Sequence, residues 1–235
     1  MTLSNTVNQP ESLAFRYEKK FFIEGISPEQ LIAALKLHPA CFRELYPPRY
    51  VNNIYLDSPL MEDYHSNVNG YHIRKKIRVR WYHELFRKVD HAVLEFKIKE
   101  GEVGTKEQYP FPNFMMNSKL TERDFRLLVQ DSSLANSVKM RLKDLEFALL
   151  NRYKRWYFAT PGEAFRATVD SGLSCWHLGK LGSRFMHNHE AHQTVILELK
   201  YGVFEDHDAH RICAALPFRI TRSSKYVAGV ENVYL

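Results

Sequence analysis

Long ionisable side chains recur at every second position in this chain, a spacing suited to holding a multiply charged ligand. Along Tyr71–Tyr82, Arg74, Lys76, Arg78 and Arg80 alternate with Ile77, Val79 and Trp81. Along Val93–Lys99, Glu95, Lys97 and Lys99 alternate with Leu94, Phe96 and Ile98. Four further segments repeat the pattern. Arg16, Glu18 and Lys20 sit against Tyr17, Phe21 and Ile23; Tyr153, Arg155 and Tyr157 against Trp156 and Phe158. Arg166, Thr168 and Asp170 alternate with Phe165, Ala167 and Val169, and Glu198 and Lys200 with Val195, Leu197, Leu199 and Tyr201. A strand points successive side chains to opposite faces, so each segment has one apolar face and one ionised face. Guanidinium groups match phosphate oxygens two at a time, ammonium groups serve as compact charges, and interspersed carboxylates suit a hard divalent cation.

The ordinary explanation of such strands is an antiparallel sheet with one wet face. Two features argue for something else. Arg and Lys outnumber acids on these faces, where Ser, Thr, Asn and Gln are nearly absent, and the pattern recurs in six strands, enough to build a closed barrel. Amphipathic helices elsewhere in the chain need apolar surface to pack on. If they cover the outside, the ionised faces point into a lumen, and a charged lumen is costly unless its charges pair with each other or with a ligand. A barrel of about eight strands has room for its own side chains and one ligand. A polyanion accompanied by a metal fits that interior.

Four segments read as helices. Ser27-Pro28-Glu29-Gln30 is a capping box with Pro at the first helical position, followed by an apolar stripe at Leu31, Ile32 and Leu35 and a stop near His38. Ser58-Pro59 opens a shorter helix reaching His65; Thr121 starts a third with Phe125, Leu128 and Val129 inward. Ser133 caps a fourth whose stripe is Leu134, Val138, Leu142, Leu145 and Leu149.

The chain has 235 residues, with 33 Lys plus Arg against 27 Asp plus Glu, a net charge of +6. Hydrophobic content of 45% excludes a disordered chain. No apolar run approaches the ~20 residues that span a bilayer, and residues 1–9 carry no signal pattern, so a cytoplasmic protein is expected. Residues 1–14 are expected to be a flexible segment and 15–235 one domain. Cys41, Cys175 and Cys213 are scattered and form neither a disulfide framework nor a zinc motif. The His187–His192 run is read as a polar loop rather than a metal site, and Gly101–Gly104 as a turn between strands. Basic and aromatic residues interleave as in single-strand nucleic-acid platforms, but Trp81 and Trp156 fall on the face opposite the cations. No nucleic-acid partner is expected.

Ile77-Arg78-Val79-Arg80-Trp81-Tyr82, Leu94-Glu95-Phe96-Lys97, Leu197-Glu198-Leu199-Lys200-Tyr201 and Ser223-Ser224-Lys225-Tyr226-Val227-Ala228-Gly229-Val230 resemble, in order, the VTC domain. That domain belongs with the CYTH phosphatases among the triphosphate tunnel metalloenzymes. Arg16–Phe21, Ile54–Asp57, Lys106, Tyr153-Lys154-Arg155, and Arg166 four residues before Asp170 support the resemblance. CYTH relatives open with Glu-x-Glu-x-Lys; Arg16 at the first acidic position favours the VTC branch.

The resemblance implies an α+β fold, an antiparallel eight-stranded β-barrel tunnel with helices packed outside. It implies ATP or another triphosphate and inorganic polyphosphate as ligands, and a Mn²⁺ or Mg²⁺ cofactor. The activity would be a polyphosphate polymerase-like phosphoryl transfer, a triphosphatase, or polyphosphate binding without turnover. Phosphate-handling residues carried over are Lys20, Arg78, Arg80, Lys97, Arg155, Arg166, Lys200 and Lys225, with Lys106 and Ser224 beside them; Lys99, on the Lys97 strand face, joins this set. Glu198 would be the principal metal ligand, supported by Glu95 and Glu18. The eukaryotic complex adds a regulatory domain and membrane spans, so a membrane-protein partner is compatible with this chain.

Overall fold

The structure is a computed structural model describing residues 16–178 and 188–234. The N-terminal segment 1–14 and His187 lie outside the described residues.

Ten strands and six α-helices are present among the described residues: β1 (Arg16–Glu24), α1 (Pro28–Lys36), β2 (Arg43–Asp57), α2 (Glu62–Val68), β3 (Ile73–Tyr82), β4 (Arg87–Val89), β5 (Val93–Glu100), β6 (Val103–Pro110), β7 (Phe114–Met116), α3 (Glu122–Gln130), α4 (Asn136–Leu142), β8 (Glu146–Ala159), β9 (Phe165–Trp176), β10 (Asn188–Gly202), α5 (Asp206–Ala214) and α6 (Lys225–Tyr234). Eight strands close into a barrel in the order β1-β10-β9-β8-β2-β3-β5-β6, every pair antiparallel. β4 and β7 form a separate two-stranded ribbon.

The α+β barrel with external helices is the expected architecture. Most of its apolar core lies outside the barrel wall in two patches, with a smaller cluster where α6 meets β2, β8 and β9. Ile54, Ile77, Val79, Trp81, Leu94 and Phe96 pack beneath the β4–β7 ribbon, α3 and α4. Phe21, Ile23, Val169, Leu197 and Leu199 pack beneath α1 and α5. Each such side chain contributes roughly 1.5–3 kcal/mol on leaving water, so the apolar faces turn outward under helices and the ionised faces turn inward.

Local sequence explains most helix starts. Ser27 and Gln30 form the capping box of α1, and Thr121 and Asp124 that of α3. α2 begins three residues beyond the expected start, because Asp57, rather than Ser58 alone, organises the turn by accepting from the Ser58, Asp63 and Tyr64 N–H groups. α4 starts at Asn136 with no side-chain cap, so Ser133 is not its cap, and Leu149 belongs to β8. Neither α5 nor α6 was expected as a helix. β10 extends back to Asn188 and pairs with Trp176, so most of the His187–His192 run is strand backbone rather than loop.

The wall closes thinly between β1 and β6, where Arg16 pairs with Gly104. Further along β1 the chain leading into α6 takes over: Thr221 donates its N–H to the Lys20 carbonyl at 2.7 Å, and its hydroxyl accepts from the Phe22 N–H. This path carries Ser223, Ser224 and Lys225 into the barrel.

Candidate triphosphate site

Four carboxylates organise the cations inside the barrel. Glu95, on β5, accepts from Arg78 on β3 at 2.6 Å and from Gln108 on β6 at 2.8 Å, with Arg80 at 3.5 Å and Lys106 at 3.7 Å. The cross-strand pairing of Arg78 with Glu95 dictates this contact. Arg78 also donates to the Tyr55 hydroxyl, and Arg80 to the Asn53 side chain at 2.9 Å, itself held by Asn151.

Asp170, on β9, takes Arg155 of β8 in a two-pronged pair at 2.5 and 2.6 Å and Lys225 of α6 at 2.5 Å. The Tyr153 ring lies about 5 Å from both cations. Glu18, on β1, meets Lys97 at 2.8 Å and Lys20 at 3.1 Å. Glu198, on β10, is surrounded by Lys225 at 3.2 Å, Lys200 at 3.3 Å, Arg155 at 3.4 Å and Lys20 at 3.5 Å.

Burial works to raise every one of these acids, and the cations overcome it. Lys97 and Lys20 hold Glu18 well below its usual range; Lys225, Lys20, Lys200 and Arg155 do the same for Glu198. Arg78 and Arg80 hold Glu95 down. Burial likewise opposes Lys225 and Arg155, yet Asp170 and Glu198 raise both. Lys97 behaves differently: burial outweighs Glu18 and pushes it down to about 8.

The structure therefore brings together Lys20, Arg78, Arg80, Lys97, Arg155, Lys200, Lys225, Glu18, Glu95 and Glu198. Lys106 stands at the edge of the Glu95 group, nearly half exposed. Lys99 feels Arg74 and Glu18 rather than forming an ion pair of its own. Arg166 is not gathered in: it pairs with Glu163 at the β8–β9 turn, both about half exposed. Ser224 accepts from Lys76 at 2.7 Å and from the Val227 N–H, so it also caps α6.

Several site residues escaped the sequence reading. Asp170 was placed on the ionised strand face but given no role, and Asn53 and Asn151 gave a usable but unread signal as amides inside apolar strands. Lys76 lay in the alternating pattern without being singled out.

The two ends of the barrel differ. At one end the inward-facing side chains are apolar: Tyr55, Leu149 and Cys175 pack against Tyr226 and Val230 of α6. Tyr226 stacks on Tyr55 and donates to Asp57. At the opposite end Arg49 lies 4.0 Å from the Tyr82 ring and 5.0 Å from that of Tyr157. The lumen is thus filled by α6 at one end and lined by polar and aromatic groups at the other.

A divalent metal can be accommodated. Among the described residues, Glu95 and Asp170 accept arginine hydrogen bonds at 2.6 Å or less, whereas Glu198 accepts longer ones, from Lys225 at 3.2 Å and Arg155 at 3.4 Å. Lys20 is the neighbour of the buried Glu18 Oε1, at 3.1 Å, and spans Glu18 and Glu198. Among the described residues no three acids, His or Cys converge as a closed metal cage. That suits Mg²⁺ or Mn²⁺ held by one or two carboxylates and completed by phosphate and water. Glu198 with Glu18 fits this role better than Glu95.

An antiparallel barrel enclosing paired cations and carboxylates defines the chain as a triphosphate tunnel fold. The VTC domain family model matches residues 15–234, and the chain belongs to that family. Among solved structures, the PH1819 protein from Pyrococcus horikoshii OT3 is similar at 12% identity and a TM-score of 0.52, covering 92% of this chain and 98% of its own. HpAC1 from Hippeastrum, described as a candidate adenylyl cyclase with a dominant triphosphatase activity, is similar at 12% identity and a TM-score of 0.52, covering 95% and 98%. Both likenesses concern the fold. No curated protein matches the chain.

Proposed function

We propose that this protein is a metal-dependent phosphoryl transferase that holds a triphosphate in the barrel and moves its terminal phosphoryl group to a phosphate or polyphosphate acceptor. The observation that carries the reading is the convergence of Lys20, Arg78, Arg80, Lys97, Arg155, Lys200 and Lys225 on one enclosed space. VTC family membership supports it, and so does the triphosphatase activity named for HpAC1.

Phosphoryl transfer is governed by positioning and charge stabilisation rather than covalent chemistry from the protein. Arg78, fixed by Glu95 and Tyr55, and Arg155, fixed by Asp170, are oriented before any ligand arrives, so little reorganisation accompanies charge development in the transition state. Lys20, Lys97 and Lys200 supply mobile point charges around the same space. A Mg²⁺ or Mn²⁺ held by Glu198 and Glu18 would supply Lewis-acid neutralisation of phosphate oxygens. The lysines now crowding those carboxylates would then turn to the ligand.

Hydrolysis is a second reading, favoured by α6. A growing polyphosphate needs a way out, and the packing of Tyr226 and Val230 on Leu149 and Cys175 occupies one end. A triphosphatase needs one mouth alone. The deciding experiment incubates the protein with ATP and Mn²⁺ and resolves phosphate chain lengths on a gel. A ladder supports polymerisation, and orthophosphate without a ladder supports hydrolysis. Glu198→Gln should cut either product sharply and weaken the Mn²⁺ dependence of what remains. A parent protein that neither turns over nor binds triphosphate would overturn the reading.

A further inference from the structure

Like Lys99, and unlike the cations that pair with Glu18, Glu95, Asp170 and Glu198, Lys76 makes no ion pair among the described residues, and it is the more buried of the two. Lys20, Arg78, Arg80, Lys97, Arg155, Lys200 and Lys225 each have a carboxylate within 4.0 Å. Among the described residues Lys76 has none, and its ammonium donates at 2.7 Å to the neutral Ser224 hydroxyl. Its position along the tunnel follows from the strands. It lies two residues beyond Arg78 on β3, away from Tyr82 and the aromatic mouth, beside the first residues of α6. Lys20 marks the same depth, donating to the Ser223 carbonyl.

We propose that Lys76 is the seat of the innermost phosphate of a chain of three or more phosphates, the one lying against α6, and that it gains its counter-charge from that phosphate. The inference rests on the phosphoryl-transferase reading and extends it by naming a residue that distinguishes ligands by chain length. The assignment requires that a pyrophosphate seated at Arg80 and Arg155, further from α6, stop short of Lys76, and that a tripolyphosphate or the triphosphate of ATP reach it.

The charged groups facing Lys76 are Lys20 and Glu18 from β1, Lys97 from β5 and Arg78 from its own strand, with the uncharged Ser224 at the α6 cap. Burial first, then Lys20 and Lys97, depress its ionisation well below that of a free lysine, with Glu18 offsetting only part. An anion arriving beside it favours the charged form, so binding raises the affinity of Lys76 for its proton.

Calorimetric titration of tripolyphosphate, ATP and pyrophosphate, each in two buffers of different ionisation enthalpy, tests this. Lys97, at about 8, can take up protons with all three ligands, so the parent should take up more with the two triphosphates than with pyrophosphate. K76M should lose that excess and bind the triphosphates roughly 10- to 100-fold more weakly, with pyrophosphate affinity nearly unchanged. K76R should restore affinity without that excess uptake, because a guanidinium stays charged throughout. Should K76M fail to fold, K76R decides by itself: a triphosphate excess equal to the parent's overturns the inference. Parent-like affinity and uptake in K76M also overturn it while leaving the phosphoryl-transferase reading intact. A parent protein that binds none of the three ligands overturns both.

Discussion

Arg155 lies between two carboxylates, donating twice to Asp170 and standing 3.4 Å from Glu198. Such a buried cation serves folding and ligand binding together, and its removal leaves a carboxylate with too little compensation. Lys225 remains beside Asp170, so compensation would be reduced rather than lost. Arg155→Met is expected to destabilise the protein by about 3 kcal/mol, read as a lower midpoint in urea unfolding with an unchanged slope. An unchanged midpoint would show that this pair is worth no more than its desolvation cost. Arg155 was legible from alternation alone because period two places it on the face of Tyr153 and Tyr157. Asp170 was not read as its partner, since register between β8 and β9 depends on a bulge near Arg152–Lys154 that no local pattern announces.

At the scale of elements, α6 carries the most consequence. It reads as strand-like, being rich in Tyr and Val, yet Ser224 caps it and Gly229 lets it approach the wall. A Cβ at Gly229 would collide with Leu149 and stand 3.0 Å from the Cys175 sulfur. Gly229→Ala should therefore cost roughly 1–3 kcal/mol despite the higher helix propensity of Ala, and a thermal melt at or above the parent midpoint would refute this account of the α6 seat. α2 supports the same end through Asp57 and carries Asp63, whose Oδ2 is buried without a hydrogen bond. Burial lifts Asp63 from 3.8 to about 7, against the pull of Lys75. A folded-state value above the unfolded one means a stabilising contribution present in full below about 4 and lost as pH rises through about 7. Stability should fall across that window, and Asp63→Asn should flatten the fall when unfolding is followed between pH 4 and 8.

For the molecule as a whole, cations exceed carboxylates inside the barrel, so the ligand-free interior carries unmatched positive charge. Occupation by a polyanion should then stabilise the fold by mass action. Tripolyphosphate is expected to raise the thermal midpoint progressively with concentration, by an amount that shrinks in 1 M NaCl. A midpoint indifferent to tripolyphosphate at low salt would mean that the interior is neutralised by its own carboxylates. Arg166 marks where strand-level reasoning stopped short: the alternation puts it on the ionised face, but that face reaches the barrel rim at Glu163, where its charge meets solvent.

The amino-acid sequence by itself determined which residues face inward, because period two and the apolar stripes for external helices are local properties of the chain. It also marked the ordered motifs of the VTC domain from Arg16 to Val230. Only the tertiary structure decided which cation answers which carboxylate, that Glu18 rather than Glu95 shares lysine with Glu198, and that α6 fills one end of the lumen. Those outcomes depend on the stagger of strands around a closed barrel and on contacts between segments some two hundred residues apart, such as Lys20 with Thr221. Neither quantity is encoded in any short stretch of sequence.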